Sequence, residues 1–240
     1  MKYDKLKTMI DESRNLCVFT GAGISCPSGI PDFRSADGLY NRESGYMFSP
    51  EQIISHSFFL EHTEMFYDFY KSAMLYPDAK PNKAHLYFAK LEETGKNVTV
   101  VTQNIDGLHQ AAGSKNVVEL HGSVHRNFCT KCKKSFPLEF ITQSKGVALC
   151  DECGAVIKPD VVLYEEPLDE SVIDRAVSAI ENADTLLVIG TSLVVYPAAS
   201  FVRYFKGDKL VLINKSETSF DRYASLTFNE DVIDVIKKIE

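Results

Sequence analysis

The sequence predicts an α/β protein built on a doubly wound parallel sheet, with a smaller second domain inserted beside it. Short apolar runs rich in β-branched residues recur along the chain, amphipathic helical patterns separate them, and two long stretches break the alternation. Strands that alternate with helices imply a parallel sheet covered on both faces.

Tyr3, Leu6, Met9 and Ile10 share one face at helical spacing and lead into the apolar run at residues 16–20, a helix followed by a buried strand. Further buried strands are expected at residues 97–102, 117–120, 185–190, 209–214 and 226–228. Helical patterns lie between them at 83–93, 105–112, 169–183, 197–205 and 231–239. The first break, 36–82, carries Phe58, Phe59, Phe66, Tyr67, Phe69 and Tyr70 at mixed helical spacings with no strand pattern. The second, 123–157, holds two cysteine pairs and has five basic against three acidic residues. Residues 1–35, 83–122 and 158–240 are therefore expected to form the sheet domain, and the two breaks together the small one.

At 240 residues, 45% hydrophobic and 25% charged, the chain can bury a sizeable core, which excludes a disordered polymer and a disulfide mini-scaffold. The excess of 33 acidic over 26 basic residues, a net charge of −7, gives no general attraction to nucleic acid, and direct nucleic-acid binding is not expected. The apolar runs 185–189 and 210–213 are far short of a membrane span, and the first seven residues lack the apolar stretch of a secretion signal. A cytoplasmic protein without membrane contact is expected.

Of the six cysteines, Cys17 and Cys26 are isolated, whereas Cys129-x2-Cys132 and Cys150-x2-Cys153 form two tight pairs. In a reducing compartment this spacing reads as a metal site. Four thiolates complete a tetrahedral Zn²⁺ shell with no position left for water, so the zinc would be structural. A dithiol redox pair is the alternative, but neither pair sits in a strand–helix context.

Gly21-Ala22-Gly23-Ile24-Ser25 follows the first strand, where glycines let the backbone approach a pyrophosphate and a following helix N-terminus would offer N–H groups. As a dinucleotide fingerprint it is incomplete, because Cys26 takes the third glycine position and no acidic residue closes a second strand. Its continuation, Gly29-Ile30-Pro31-Asp32-Phe33-Arg34, adds a ring that can exclude water and a guanidinium suited to phosphate. Gln103, Asn104, Ile105 and Asp106 follow the strand at 97–102, and His121 ends that at 117–120. Gly190, Thr191 and Ser192 end another, and Asn214 a fourth. Each has a bland alternative: turn geometry at the glycines, helix capping by Asn104, a structural hydrogen bond at His121. Their shared position at carboxyl ends of parallel strands, where open α/β sheets bind ligands, is what marks them.

Taken in order, these segments resemble the sirtuins, NAD-dependent protein lysine deacylases, over nearly the whole chain. The resemblance implies a Rossmann-like domain with a small domain made of a zinc ribbon, ligated by Cys129, Cys132, Cys150 and Cys153, and a helical module. It implies NAD as co-substrate between the domains. Gly21, Ala22, Gly23, Ser25, Cys26, Phe33 and Arg34 would lie in the cofactor loop, with Gln103, Asn104, Ile105 and Asp106 at the nicotinamide and ribose end. Gly190, Thr191, Ser192, Asn214 and Asp231 would hold the adenosine side. The acyl-lysine oxygen would attack the ribose C1′ as nicotinamide leaves, with His121 as general base and Asn104 beside it, giving free lysine and O-acyl-ADP-ribose. An acetylated-lysine peptide would enter as an added strand between Val161, Val162, Leu163 and Tyr164 on one side and Leu193, Val194 and Val195 on the other.

Three departures from the family pattern stand out. Glu165 occupies a usual glycine, Cys26 stands where Thr or Ser is common, and Tyr67-x2-Tyr70 replaces the Tyr-x2-Arg of members that take acidic acyl groups. Without that Arg a succinyl carboxylate would be buried unpaired, so acetyl and other neutral acyl groups are expected to be preferred. Mono-ADP-ribosyl transfer on the same scaffold is the alternative activity, and a zinc-ribbon binding module with an inert nucleotide fold the alternative class.

Overall fold

The computed structural model describes residues 1–33, 35, 38–41 and 47–240. Helix α1 (Lys2–Glu12) buries Leu6, Met9 and Ile10 and leads into β1 (Asn15–Thr20). In place of the helix expected after the glycines come two short 3-10 turns, Ala22–Ile24 and Cys26–Ser28. They end at Gly29, which sits at φ 87°, and Pro31 holds the residue before it extended, so no longer helix can propagate.

Among its described residues the first break in the alternation carries α2 (Pro50–Ile53), α3 (His56–Glu61) and α4 (Thr63–Phe69), with a π-turn at Tyr70–Met74. Its mixed aromatic spacing has a local cause. Ser49 Oγ accepts from Gln52 N and Ser55 Oγ from Phe58 N, so each serine caps a new helix and resets the period.

The chain then runs through α5 (Lys83–Glu93), β2 (Asn97–Thr102), α6 (Leu108–Ala111), β3 (Val117–Glu119), β4 (Gly122–Cys129), β5 (Ser135–Pro137), α7 (Leu138–Gln143) and β6 (Ile157–Val161). It closes with α8 (Glu170–Glu181), β7 (Thr185–Ile189), a 3-10 segment at Ala198–Tyr204, β8 (Lys209–Ile213), β9 (Leu226–Phe228) and α9 (Val232–Ile239). The 3-10 segment stands where an α-helix is expected from 197–205.

Among the described residues, six strands form one sheet in the order β3-β2-β1-β7-β8-β9, every neighbouring pair parallel. Both faces are covered. Leu16, Val18, Leu187, Ile189, Val211 and Ile213 join the core under α1, α5 and α9, while Cys17, Phe19, Leu186, Val188, Leu210 and Leu212 join the core under α8 and the 3-10 segment. Alternate residues of one strand thus enter opposite cores, which is why these strands read as unbroken apolar runs. α9 shows the helical counterpart: Val232, Val235, Ile236 and Ile239 are all buried on one face, each contributing about 1.5–3 kcal/mol.

A second sheet, in the order β5-β4-β6, is antiparallel and packs with the helical module around a separate apolar core that includes Phe66, Tyr67, Tyr70, Phe136 and Ile157. Its strand β6 extends to Val161, which pairs with Gly122, so the small sheet runs past the expected limit at 157. Winding of the large sheet reverses between β1 and β7. That switch point opens a crevice at the strands' carboxyl ends, beside the second sheet.

Candidate active site

A cleft of about 840 Å³ lies at this crevice. Gly21, Ala22, Gly23, Cys26 and Phe33 line it from the β1 side, and Gln103, Asn104, Ile105 and His121 from the β2 and β3 ends. Gly190, Thr191, Ser192, Asn214 and Asp231 line it beyond β7 and β8, and Val161, Val162, Leu163, Tyr164 and Val195 complete its wall. A smaller cavity of about 60 Å³ is walled by Ala22, Ser25, Phe33, Asn104, Ile105 and Asp106, with Val124 and His125 of the second sheet. Two expected residues take other positions: Leu193 is 3% exposed, packed in the core under α8, and Val194 is exposed. Arg34 lies outside the described residues.

The glycines are explained by close approach. Gly21 N donates to Ile189 O and Gly23 N to Gly190 O, so the turn after β1 lies against the end of β7. A Cβ on Gly23 would stand 2.7 Å from Gly190 Cα, and one on Gly190, at φ 62°, would stand 2.4 Å from Ile24 N. No side chain fits between these backbones.

Asn104 does not cap the following helix; that bland alternative is overturned by Asp106, whose Oδ1 accepts from Leu108 N at 2.9 Å. Gly107, at φ 71°, holds the turn between them, and the helix starts at 108, not at 105. Asn104 is freed to donate through Nδ2 to Ser25 Oγ at 3.1 Å, and Ser25 Oγ donates to Asp106 Oδ2 at 2.7 Å. This relay ties the β2 end to the β1 turn. Burial raises the Asp106 carboxyl above the usual carboxylate range, against the pull of its bonds to Ser25 and Leu108.

His121 follows β3 with Nδ1 2.8 Å from the carbonyl oxygen of Gln103. A carbonyl only accepts, so Nδ1 carries the proton and Nε2 of the neutral ring keeps its lone pair. Burial holds the imidazole below its ordinary pKa, against the opposing carbonyl bond. A neutral ring, oriented by its other nitrogen at a cleft wall, has the free lone pair that accepting a proton requires.

At the far end, Asp231 caps α9 through Oδ1, which accepts from Ile233 N at 2.9 Å, while Oδ2 lies 2.9 Å from Lys215 Nζ. Cys26 is partly buried, its thiol pushed up by burial and then by the Asp32 charge, so it carries little thiolate. The segment after Thr191 is not an extended strand: Leu193 sits at φ 54° with its N–H on Thr191 Oγ1.

Sequence reasoning missed several residues that shape the site. Asn82 donates to Ile24 O at 2.8 Å and Ser28 Oγ at 2.9 Å, anchoring the β1 turn, while its Oδ1 caps α5. Asn before a helical pattern was the available signal for the cap. Arg126 joins Glu119, the last residue of β3, to Asp160 in β6, at 2.7 Å each, and so bridges the two sheets next to His121. No local pattern announces it.

The four paired cysteines converge at the end of the second sheet. Their sulfurs all lie within 4.8 Å of one another, with Cys129 Sγ 3.4 Å from Cys153 Sγ and Cys132 Sγ 3.6 Å from Cys150 Sγ. Tetrahedral zinc with bonds of about 2.3 Å requires sulfurs roughly 3.8 Å apart, so the donor set fits that ion. Lys131 N and Cys132 N both point at Cys129 Sγ, as amides do toward a ligating thiolate.

Comparison with known proteins follows the same lines. A family model described as the Sir2 family matches residues 21–197. A protein of Clostridium perfringens (strain 13 / Type A) named NAD-dependent protein deacetylase is 56% identical over 239 residues, covering 99% of this chain and 98% of the relative. A solved Sir2 structure with deacetylated p53 peptide and 3'-O-acetyl ADP ribose superposes with a TM-score of 0.89 at 42% identity, covering 100% of this chain and 97% of the other. Another, of Sir2 with p53 peptide and NAD+, gives a TM-score of 0.86 at 42% identity with the same coverage.

Proposed function

This chain belongs to the Sir2 family and is an NAD-dependent protein deacetylase, and we propose that His121 is its general base and that the cleft residues around it divide the work of holding NAD and an acetyl-lysine peptide. The observation that carries the proposal is the bond from His121 Nδ1 to the Gln103 carbonyl, which fixes the tautomer with an unprotonated Nε2.

NAD is the co-substrate, and its ribose C1′ supplies the electrophile that accepts the acetyl oxygen as nicotinamide departs. The protein's residues do the rest. Gly21, Gly23 and Gly190 pack backbone against backbone at the switch point and line the cleft there, where the phosphates of NAD would lie. Asn104, Ile105 and Asp106, with Ala22, Ser25, Cys26 and Phe33 across from them, form the nicotinamide and ribose end. Gln103 is steadied by its bond to Thr191 Oγ1 at 3.1 Å. Thr191, Ser192, Asn214 and Asp231 form the adenosine end. His121 Nε2 would take the proton of a ribose hydroxyl as that oxygen bonds to the acyl carbon; the acyl carbon–nitrogen bond would then break with a proton passed to the departing lysine amine, and one water would complete O-acetyl-ADP-ribose. Phe33 and Ile105 exclude water from the reacting carbon, so the held acetyl oxygen meets it first.

The peptide enters along Val161, Val162, Leu163 and Tyr164 by main-chain pairing, with Val195 on the wall of the same cleft; the left-handed turn at Leu193 leaves the segment after Thr191 unsuited to act as a second pairing strand. Zinc would be held by Cys129, Cys132, Cys150 and Cys153, and it supplies the fold of the ribbon while the chemistry stays in the cleft. We assign 1–35, 83–121 and 162–240 to the sheet domain and 36–82 and 122–161 to the small domain, since β4 starts at Gly122 and β6 runs to Val161. The chain works in the cytoplasm on acetylated proteins. No helix among the described residues is long and apolar enough to cross a membrane.

The test is an acetyl-lysine peptide incubated with and without NAD and followed by mass spectrometry. Deacetylated peptide and O-acetyl-ADP-ribose are expected only with NAD. Label from NAD transferred to protein with no deacetylation would overturn the reading.

A further inference from the structure

Glu165 stands at φ 75°, a left-handed conformation that favours glycine. Such a residue persists where its surroundings over-determine it. Here they do: Glu165 Oε2 accepts from Ser57 N at 2.8 Å and Oε1 from Ser57 Oγ at 3.0 Å, in the first turn of α3.

Its neighbour turns the same way. Glu166 Oε1 accepts from His56 Nδ1 at 2.7 Å, and Oε2 accepts from Leu163 N at 2.8 Å and Lys158 Nζ at 3.0 Å. Consecutive side chains of an extended strand point to opposite sides. The left-handed turn at Glu165 lets both carboxylates reach the first turn of α3, Glu165 at Ser57 and Glu166 at His56. Tyr164 adds the backbone half of the seam, its N–H on Ile54 O at 3.1 Å and its carbonyl accepting from His56 N at 3.0 Å. The whole stretch therefore hangs on residues 54–57, with Leu163, Tyr164 and Glu165 on the cleft wall.

We propose that Glu165 is a positioning residue for the peptide: by fastening the end of the 161–164 edge to α3 in a turn that its own backbone resists, it presets the strand on which the acetyl-lysine peptide pairs. The inference rests on the reading that the peptide pairs along that edge. A preset edge spares the peptide the cost of ordering it, so the effect falls on peptide affinity.

Steady-state kinetics of the zinc-loaded full chain test this with Glu165→Gly, which accepts the left-handed backbone but removes both bonds to Ser57. The KM for acetyl-lysine peptide is expected to rise about three- to tenfold, with the KM for NAD and kcat unchanged. Glu165→Gln, which keeps one acceptor oxygen, should fall between. A peptide KM that stays at the wild-type value in Glu165→Gly, or peptide and NAD KM values that rise together with a lowered Tm, would overturn the proposal. The underlying reading is tested separately on the wild-type protein, with a peptide N-methylated at the amides flanking the acetyl-lysine. If its KM matches that of the parent peptide, strand pairing itself fails and the proposal with it; if N-methylation weakens binding and Glu165→Gly does not, only the role of Glu165 fails.

Discussion

His85 and His109 meet edge to face, ring centroids 4.8 Å apart, both essentially shielded from solvent. His85 Nδ1 accepts from Asn82 N at 3.3 Å, and His109 Nε2 lies 3.2 Å from Thr20 Oγ1 at the end of β1. The pair links the helix cap that anchors the β1 turn to the strand from which that turn departs.

This pair makes the fold acid-sensitive in a defined window. Burial lowers His85 to about 4, and burial with the His85 charge lowers His109 to about 3. In the unfolded chain both bind protons near pH 6.5, while the native protein leaves them neutral. The unfolded state therefore binds more protons below pH 6.5. Stability from these groups is complete above that pH and falls as pH drops toward 4 and 3, by at most about 1.4 kcal/mol per pH unit for each group. Thermal melts from pH 8 to 4 should show this fall, and the double variant His85→Gln/His109→Gln should flatten it. A parallel slope in the variant would remove the pair from this role.

His121→Ala is expected to reduce deacetylation by about 10³-fold or more, with the melting temperature near that of the wild type. Because burial holds the imidazole below its ordinary value, the base form prevails at neutral pH. The acid limb of kcat/KM should therefore lie below pH 6.5, with activity lost as pH falls through it. An acid limb above 6.5 that persists in His121→Ala would assign it to another group.

Removal of zinc with a strong chelator should lower Tm sharply and release one equivalent of metal, because the four thiolates hold the ends of the second sheet together. Cys132→Ser should do the same in part. Since a Cys₄ shell has no open position, metal exchange to cadmium should preserve turnover. Full activity and an unchanged melt after verified metal loss would contradict the structural role.

Acetyl-lysine should be preferred over succinyl-lysine by at least about tenfold in kcat/KM, since an unpaired buried carboxylate costs several kcal/mol. Among the described cleft residues the lysine is Lys215, and it is paired with Asp231. Tyr67 and Tyr70 are in the small-domain core, Tyr67 with its hydroxyl on Ile157 O, so neither supplies a cation. Equal turnover of the two peptides would reject this preference.

Much of the site is legible from sequence because its residues sit at strand ends, where an apolar run stops against a polar cluster. Gln103, Asn104, Asp106 and His121 announce themselves in this way, as do Gly190 and Asn214. The zinc ligands are legible by spacing alone. Residues that act across long sequence distances are silent: Asn82 reaches Ile24, Arg126 joins Glu119 to Asp160, and Glu165 reaches Ser57. Helix boundaries were misplaced for a similar reason. The stretch after Gly23 reads as a helix start, but its contacts with Gly190 and the Gly29–Pro31 turn leave room only for 3-10 turns.

The sequence by itself determined the alternation of strands and helices, the double-sided burial of the strands, the cysteine quartet and the chemistry-bearing residue types, because each is written in local period or spacing. Only the tertiary structure decided the strand order that opens the crevice between β1 and β7, and the second sheet's reach to Val161. It also decided the tautomer of His121, set by a carbonyl eighteen residues away. These depend on which backbones meet, and that is settled when apolar faces distant in the chain are buried against one another.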